Sequence, residues 1–176
     1  ANGYLYRLNA STGAQNGEFN AQATSTLALP PAVSDSRVYF SMGSHIFAVN
    51  TGSMTSAWAY DSGSPVQTPP SVSTATGLVV AASEDLYVHA VHVSDGTQDW
   101  RVKPTSLPPG DPASSPGNSL AEVKYGWPVI AEGHGLVLVR YRLDWDTLYT
   151  WTPWPGTNAA MRTNLTSKPS EQSLFA

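Results

Sequence analysis

One phrase recurs along this chain, and it limits the fold more than any other feature. Residues 86–100 (LYVHAVHVSDGTQDW) read as a strand, a tight glycine turn and a second strand closed by an aromatic. The phrase returns at residues 4–19 (YLYRLNASTGAQNGEF) and 45–58 (HIFAVNTGSMTSAW), and a further copy opens at 173–176 (SLFA). Counted at the small or polar position after the aromatic, Arg7, Ala48 and Ala90 lie 41 and 42 residues apart. Two more landmarks precede the copies in a constant order. The first is Pro31-Ala32-Val33, Pro70-Ser71-Val72 and Pro128-Val129-Ile130. The second is Arg37-Val38-Tyr39-Phe40, Gly77-Leu78-Val79-Val80 and Gly135-Leu136-Val137-Leu138. A period of about 40–45 residues made of four short strands predicts a propeller blade.

The expected fold is therefore all-β: a β-propeller of four-stranded antiparallel blades, present as a partial ring of about three and a half blades. Residues 1–22 hold strands C and D of an incomplete first blade, with Phe19 in the place of the tryptophan of the other copies. Residues 23–62 and 63–103 are complete blades. Their expected strands A to D are 28–34, 37–41, 45–50 and 55–60 in the first, with 78–82, 86–92 and 98–102 as B, C and D in the second. Runs such as Ile46-Phe47-Ala48-Val49 do not alternate, because a blade buries both faces between its neighbours. After Lys103 the period breaks: Ala90 and Ala176 are 86 residues apart. Only one further copy of each preceding landmark is present, so this region reads as one partial blade, 127–176, with insertions. Strands are expected at 127–132, 136–142 and 173–176, with a Pro/Ser-rich loop at 104–126 and a second insertion at 143–171. A short extra strand at 148–151 fits as part of a hairpin, and an extra blade through 148–154 is the alternative.

These residues resemble the repeat of the PQQ-binding-like propellers, the quinoprotein alcohol dehydrogenase-like superfamily. Pro-x-Val, then Val-Tyr-Phe, then Phe-Ala-Val-Asn-Thr-Gly, then Trp carry the resemblance, clearly over 1–103 and more loosely over 127–139 and 172–176. It implies the fold strongly and the activity weakly, because the same repeat builds dehydrogenases, outer-membrane assembly lipoproteins and surface proteins that bind no quinone. Quinone-dependent members carry adjacent cysteines against the cofactor and a Glu/Asn/Asp set that holds calcium. This chain has no cysteine and shows no matching calcium set, so no cofactor is expected, and PQQ with calcium belongs only to a dehydrogenase reading. An assembly-factor lipoprotein would need a lipid-bearing cysteine upstream of Ala1.

Composition narrows the partners. With 12% charged residues, a net charge of −4 and no Lys/Arg cluster, the chain carries no nucleic-acid footprint. No run reaches the ~18 apolar residues of a membrane helix. Little lysine with abundant Ser, Thr and Gly suits an exported protein, extracellular, on the cell surface or periplasmic. His89 and His92 invite a metal reading, but positions three apart on a strand face opposite sides, so structural histidines are expected and no metal.

The insertions carry the functional inference. In an antiparallel blade the D-to-A and B-to-C connections leave on one rim. Insertion 104–126 is D-to-A and insertion 143–171 is B-to-C, so both are expected on the same face. Long loops on a rigid scaffold are where binding concentrates. These loops and their borders carry Tyr125, Trp127, Trp145, Tyr149, Trp151 and Trp154, with Arg140, Arg142, Asp144 and Asp146. Flat rings beside charges form a platform for a carbohydrate, a small ligand or a protein. The alternative is that the rings fasten the loops to the propeller while Arg140 and Arg142 pair with Asp144 and Asp146. No phosphate loop, hydrolase triad or HExxH motif is present, and no catalytic residue is assigned. The expected function is a non-catalytic binding or scaffolding module of a larger exported or cell-surface protein. A dehydrogenase fragment and an assembly-factor-like propeller are the alternatives. The chain starts and stops inside strand C, and rings avoid exposed edges by closing, so a parent of seven or eight blades is expected.

Overall fold

The computed structural model describes residues 2–113, 120–123, 126–143, 156–169 and 173–176. Its first sheet pairs β1 (Tyr4–Leu8) with β2 (Gln15–Asn20). The second has β3 (Ala32–Ser34), β4 (Arg37–Met42), β5 (His45–Asn50) and β6 (Thr55–Asp61) in sequential antiparallel order. The third repeats that order with β7 (Ser71–Ser73), β8 (Leu78–Ala82), β9 (Val88–His92) and β10 (Gln98–Val102). In the last region β12 (Val129–Ala131), β13 (Leu136–Arg140) and β15 (Leu174–Phe175) form one sheet. A two-residue pair, β11 (Ala121–Glu122) with β14 (Arg142–Leu143), lies beside it.

Two apolar faces per blade create three seams. Leu5 and Phe19 of the first sheet pack on Val38, Phe40, Met42, Phe47 and Val49 of the second. The other face of that sheet, with Tyr39, Ile46, Ala48 and Trp58, packs on Val79, Ala81 and Val91. Val80, Ala82, Val88 and Ala90 then meet Val139, Tyr141, Leu143, Ala121 and Val123. Full burial of one such large side chain stabilises by about 1.5–3 kcal/mol, so the seams hold the sheets in a fan.

A bulge recurs between strands C and D, just past the landmark residue of each copy. The register shifts between Arg7 and Leu8, between Ala48 and Val49, and between Gln98 and Trp100 opposite Ala90 and Val91. A bulge adds local twist and re-aims the next side chain. Here it leaves Trp58 opposite Ala48 and Trp100 opposite Ala90, with each indole over a small residue. The first sheet departs from the sequence expectation. Gly17, not Phe19, stands opposite Arg7, while Phe19 pairs with Leu5. Arg7 supplies the bulk that the tryptophan supplies elsewhere, since a Cβ on Gly17 would lie 3.2 Å from Arg7 Nε.

Other elements differ from expectation in extent. The innermost strands are shorter, because the prolines at their starts have no N–H for the ladder. The expected strand 136–142 breaks at Tyr141, which turns inward and is fully buried. Residues 132–134 form a 3-10 turn rather than the end of a strand. Insertion 143–171 contains a helix, α1 (Asn158–Ser167), where only loop and hairpin were expected. Thr157 caps it, its Oγ1 accepting from the Ala160 N–H at 3.2 Å, and Pro169 follows its end. The suggested strand at 148–151 lies outside the described residues.

Candidate functional site

The D-to-A connection at 62–67 is tied down by the B-to-C turns of the sheets on either side of it, on the same rim. The Ser62 N–H donates to the Ser44 carbonyl at 2.9 Å, and the Val66 N–H to Gly43 at 2.8 Å. The next turn is held likewise: the Gln67 N–H donates to Ala82 at 2.9 Å, and the Glu84 N–H to Pro65 at 2.8 Å. The two insertions meet on this rim as well, because β11 belongs to 104–126 and pairs with β14 at the start of the other. Tyr141 anchors the join, its hydroxyl donating to the Leu86 carbonyl at 2.9 Å and its N–H to Ser173 at 2.8 Å. Burial pushes its phenol well above the usual range.

Three successive D-to-A connections end on equivalent residues: Pro30-Pro31, Pro69-Pro70 and Trp127-Pro128. The first member of each pair lines an almost wholly apolar trough of about 290 Å³, with Leu27, Leu29, Gln67 and Gly126. Trp127 replaces a proline in the third copy and is 58% exposed, so its ring forms an open wall of the trough. On its other side a broad hollow of about 420 Å³ runs down the inner strands past Pro31, Pro70 and Pro128. A smaller hollow of about 130 Å³ adjoins the trough and is lined by Gln67, Glu84, Gly110, Asp111, Glu122 and Val123. Gln67 lines both.

Of the residues singled out from sequence, Trp127 is in the trough. Arg140 is exposed at the end of β13, near Gly126. Arg142 pairs with Glu122 at 2.5 Å and Asp111 at 3.4 Å, which joins the two insertions. Tyr125, Asp144, Trp145, Asp146, Tyr149, Trp151 and Trp154 lie outside the described residues. Leu27, Leu29, Pro30, Gln67 and Pro69 were not singled out. Their one sequence signal is the proline doublet recurring 39 residues apart, which marks a strand start as readily as a binding wall.

The histidines separate as their strand spacing implies. His92 lies 3.5 Å from Asp99 at the surface. His89 is 1% exposed, with Nδ1 3.0 Å from the Tyr60 hydroxyl and Nε2 2.8 Å from Ser83 Oγ. Ser83 also donates to Asp85, which receives Arg101 at 2.9 Å, and Arg101 lies over the Tyr87 ring at 3.8 Å. Burial, reinforced by the Arg101 charge, pushes the imidazole down to about 4. Ser83 and His89 are sealed from solvent, so this network is structural, joining the second sheet to the third.

Among the described residues no quinone–calcium set of the kind the resemblance implies is assembled. The chain has no cysteine to lie against a quinone. Among the described residues no three His, Cys, Asp or Glu side chains gather at metal-binding range. No helix among the described residues is long and apolar enough to cross a membrane.

Comparison with known proteins places this geometry. Among solved structures, BamB from Moraxella catarrhalis aligns with a TM-score of 0.61 at 19% identity, over 81% of this chain and 41% of that one. The quinohemoprotein alcohol dehydrogenase ADHIIG from Pseudomonas putida HK5 aligns at 0.60 and 16% identity, over 88% and 29%. That from Comamonas testosteroni aligns at 0.53 and 16% identity, over 70% and 18%. The chain thus spans less than half the length of each, and identities this low show a shared fold alone. No curated protein gives a significant match. The family model described as outer membrane protein assembly factor BamB matches residues 1–144. A match over most of the chain, on sheets that repeat in this order, makes the protein a member of the PQQ-like β-propeller repeat family.

Proposed function

We propose that this chain is a non-catalytic binding module of an exported protein, and that its partner is a protein segment seated in the rim trough. The observation that carries the reading is the Leu27, Leu29, Pro30, Pro69 and Trp127 wall, an apolar hollow open to solvent where three blades converge. Apolar walls with few polar groups are the usual chemistry of a binding site. An exposed tryptophan is the side chain most enriched at the centres of protein interfaces. The family description, an assembly factor of outer membrane proteins, supports a protein partner and an exported setting. The missing cysteines and the hydrogen-bonded, sealed Ser83–His89 pair speak against a reaction at the described residues.

The test is binding of labelled, extended peptides with a single aromatic anchor, read by fluorescence anisotropy. Saturable binding that Trp127→Ala and Leu29→Asp abolish is expected. Absence of binding, or binding indifferent to both substitutions, overturns the proposal. Dye reduction with primary alcohols after addition of PQQ and calcium would overturn the non-catalytic part.

A further inference from the structure

We infer that the two outer flanks of the fan pair with each other across copies of this chain, the first sheet of one copy packing on the last sheet of a second. The register makes the sheets comparable residue by residue. On either side of the landmark alanines Ala48 and Ala90 stand Phe47 and Val49, and His89 and Val91. All four are buried against the preceding sheet. Tyr6 and Leu8 hold these positions beside Arg7, yet Tyr6 is exposed and Leu8 is 58% exposed. At the other end of the fan Leu174 stands opposite Arg140, as Ile46 stands opposite Ser41 and Val88 opposite Ala82. Ile46 and Val88 are fully buried against the following sheet, whereas Leu174 is 59% exposed. Leu136 and Leu138 share its face, because alternate side chains on a strand point to one side and Arg140 is opposite Leu174. The first flank is thus one half of a seam and the last flank the other half. Among the described residues neither meets its complement.

A second copy supplies each missing half in the orientation that every other seam already uses. Charge selects the same arrangement. The charged side chain on the outer face of the first sheet is Glu18, opposite Tyr6, and on that of the last sheet it is Arg140. Both are exposed. Head-to-tail contact sets opposite charges on the facing surfaces. Two first flanks, or two last flanks, would set like charges together, which costs affinity. A head-to-tail contact closes into a ring where its rotation allows and otherwise grows into a filament. Four of the sheets here are blades or parts of blades, and the fan spans less than half of each related propeller. Two copies therefore bring about eight sheets, within the range at which propellers close. The occupant of both flanks is one further copy of this chain, and the assembly is a two-copy ring with two new seams.

The experiment is sedimentation velocity on the full chain at about 200 µM, since association follows protomer concentration. A mass twice the 18.7 kDa of one chain is expected. Leu8→Lys and Leu174→Lys each put a charge on one flank, and each alone should weaken association at least about tenfold. Both positions are more than half exposed, so each variant should keep the circular dichroism spectrum of the parent. Mixing the two variants sets the intact last flank of one against the intact first flank of the other. Association should then return, through one seam instead of two. Charge reversal is the second measurement: Glu18→Arg should weaken association about threefold, and adding Arg140→Glu should restore it. A chain that stays monomeric at this concentration overturns the inference and leaves the flanks to a different protein. Self-association of either lysine variant alone shows contact between like flanks and overturns the head-to-tail arrangement, as does a mixture that stays monomeric. Species larger than two copies overturn the closed ring.

Discussion

Trp58 shows how much one side chain settles at a seam. Its Nε1 donates to the Val93 carbonyl at 2.9 Å, and its ring lies on Gly96, where a Cβ would approach to 2.7 Å. Gly96 also has φ +74, so Gly96→Ala adds backbone strain to a clash. It should cost about 2–4 kcal/mol in denaturant unfolding. One seam earlier, Arg7 Nη1 donates to the Thr51 carbonyl at 2.5 Å, the acceptor equivalent to Val93. An Arg/Gly pair thus does there what an Ala/Trp pair does in the other copy. Arg7→Ala and Gly17→Trp should each destabilise, and the double variant should lose less than their sum by at least about 0.5 kcal/mol. A double-mutant cycle checks this, and strict additivity would refute it. His89 adds a pH dependence. Its folded pKa, about 4, lies below the unfolded value of 6.5. The unfolded chain therefore takes up the proton first. Stability is intact above pH 6.5 and falls as pH drops toward 4, by about 3 kcal/mol in all. His89→Gln should flatten that part of a stability–pH curve, and an unchanged slope would show that other groups carry it.

Among the elements, the pair β11 and β14 matters most for the site, because it sets insertion 104–126 against the blade from which 143–171 departs. Two of the contacts that hold it can be tested singly. Tyr141→Phe leaves the Leu86 carbonyl without its partner in a buried setting and should cost about 1–3 kcal/mol. Arg142→Met breaks pairs that are partly exposed, so a loss of at most about 1 kcal/mol is expected. The sharper readout is proteolysis. Cleavage within 104–126 should quicken in Arg142→Met while cleavage elsewhere is unchanged, and equal rates would mean that the loop is held by other contacts.

As a whole molecule, the fan leaves apolar side chains on both outer flanks. Tyr4, Tyr6 and Leu8 point away from the first seam, and Leu136 and Leu174 away from the last; all five are exposed. Leu8→Lys with Leu136→Lys should raise solubility in light scattering and shift unfolding by less than about 0.5 kcal/mol. Phe40→Lys, inside a seam, should unfold the protein. The order of strands was legible in the sequence because repetition and two-sided apolar runs are local facts: a strand buried on both faces betrays itself residue by residue. That Phe19 is not the counterpart of Trp58 was legible in the spacing, since Ala48 to Trp58 and Ala90 to Trp100 are each 10 residues and 10 past Arg7 is Gly17; residue type, an aromatic near the end of the strand, pointed to Phe19 instead. Helix α1 was hidden, since it is short and most of its described side chains are exposed. The trough is the clearest case of what only tertiary structure decided. Leu29, Pro69 and Trp127 are far apart along the chain, and of the three the sequence alone singled out Trp127. They form a wall because the seams between blades bring three equivalent connections to one rim.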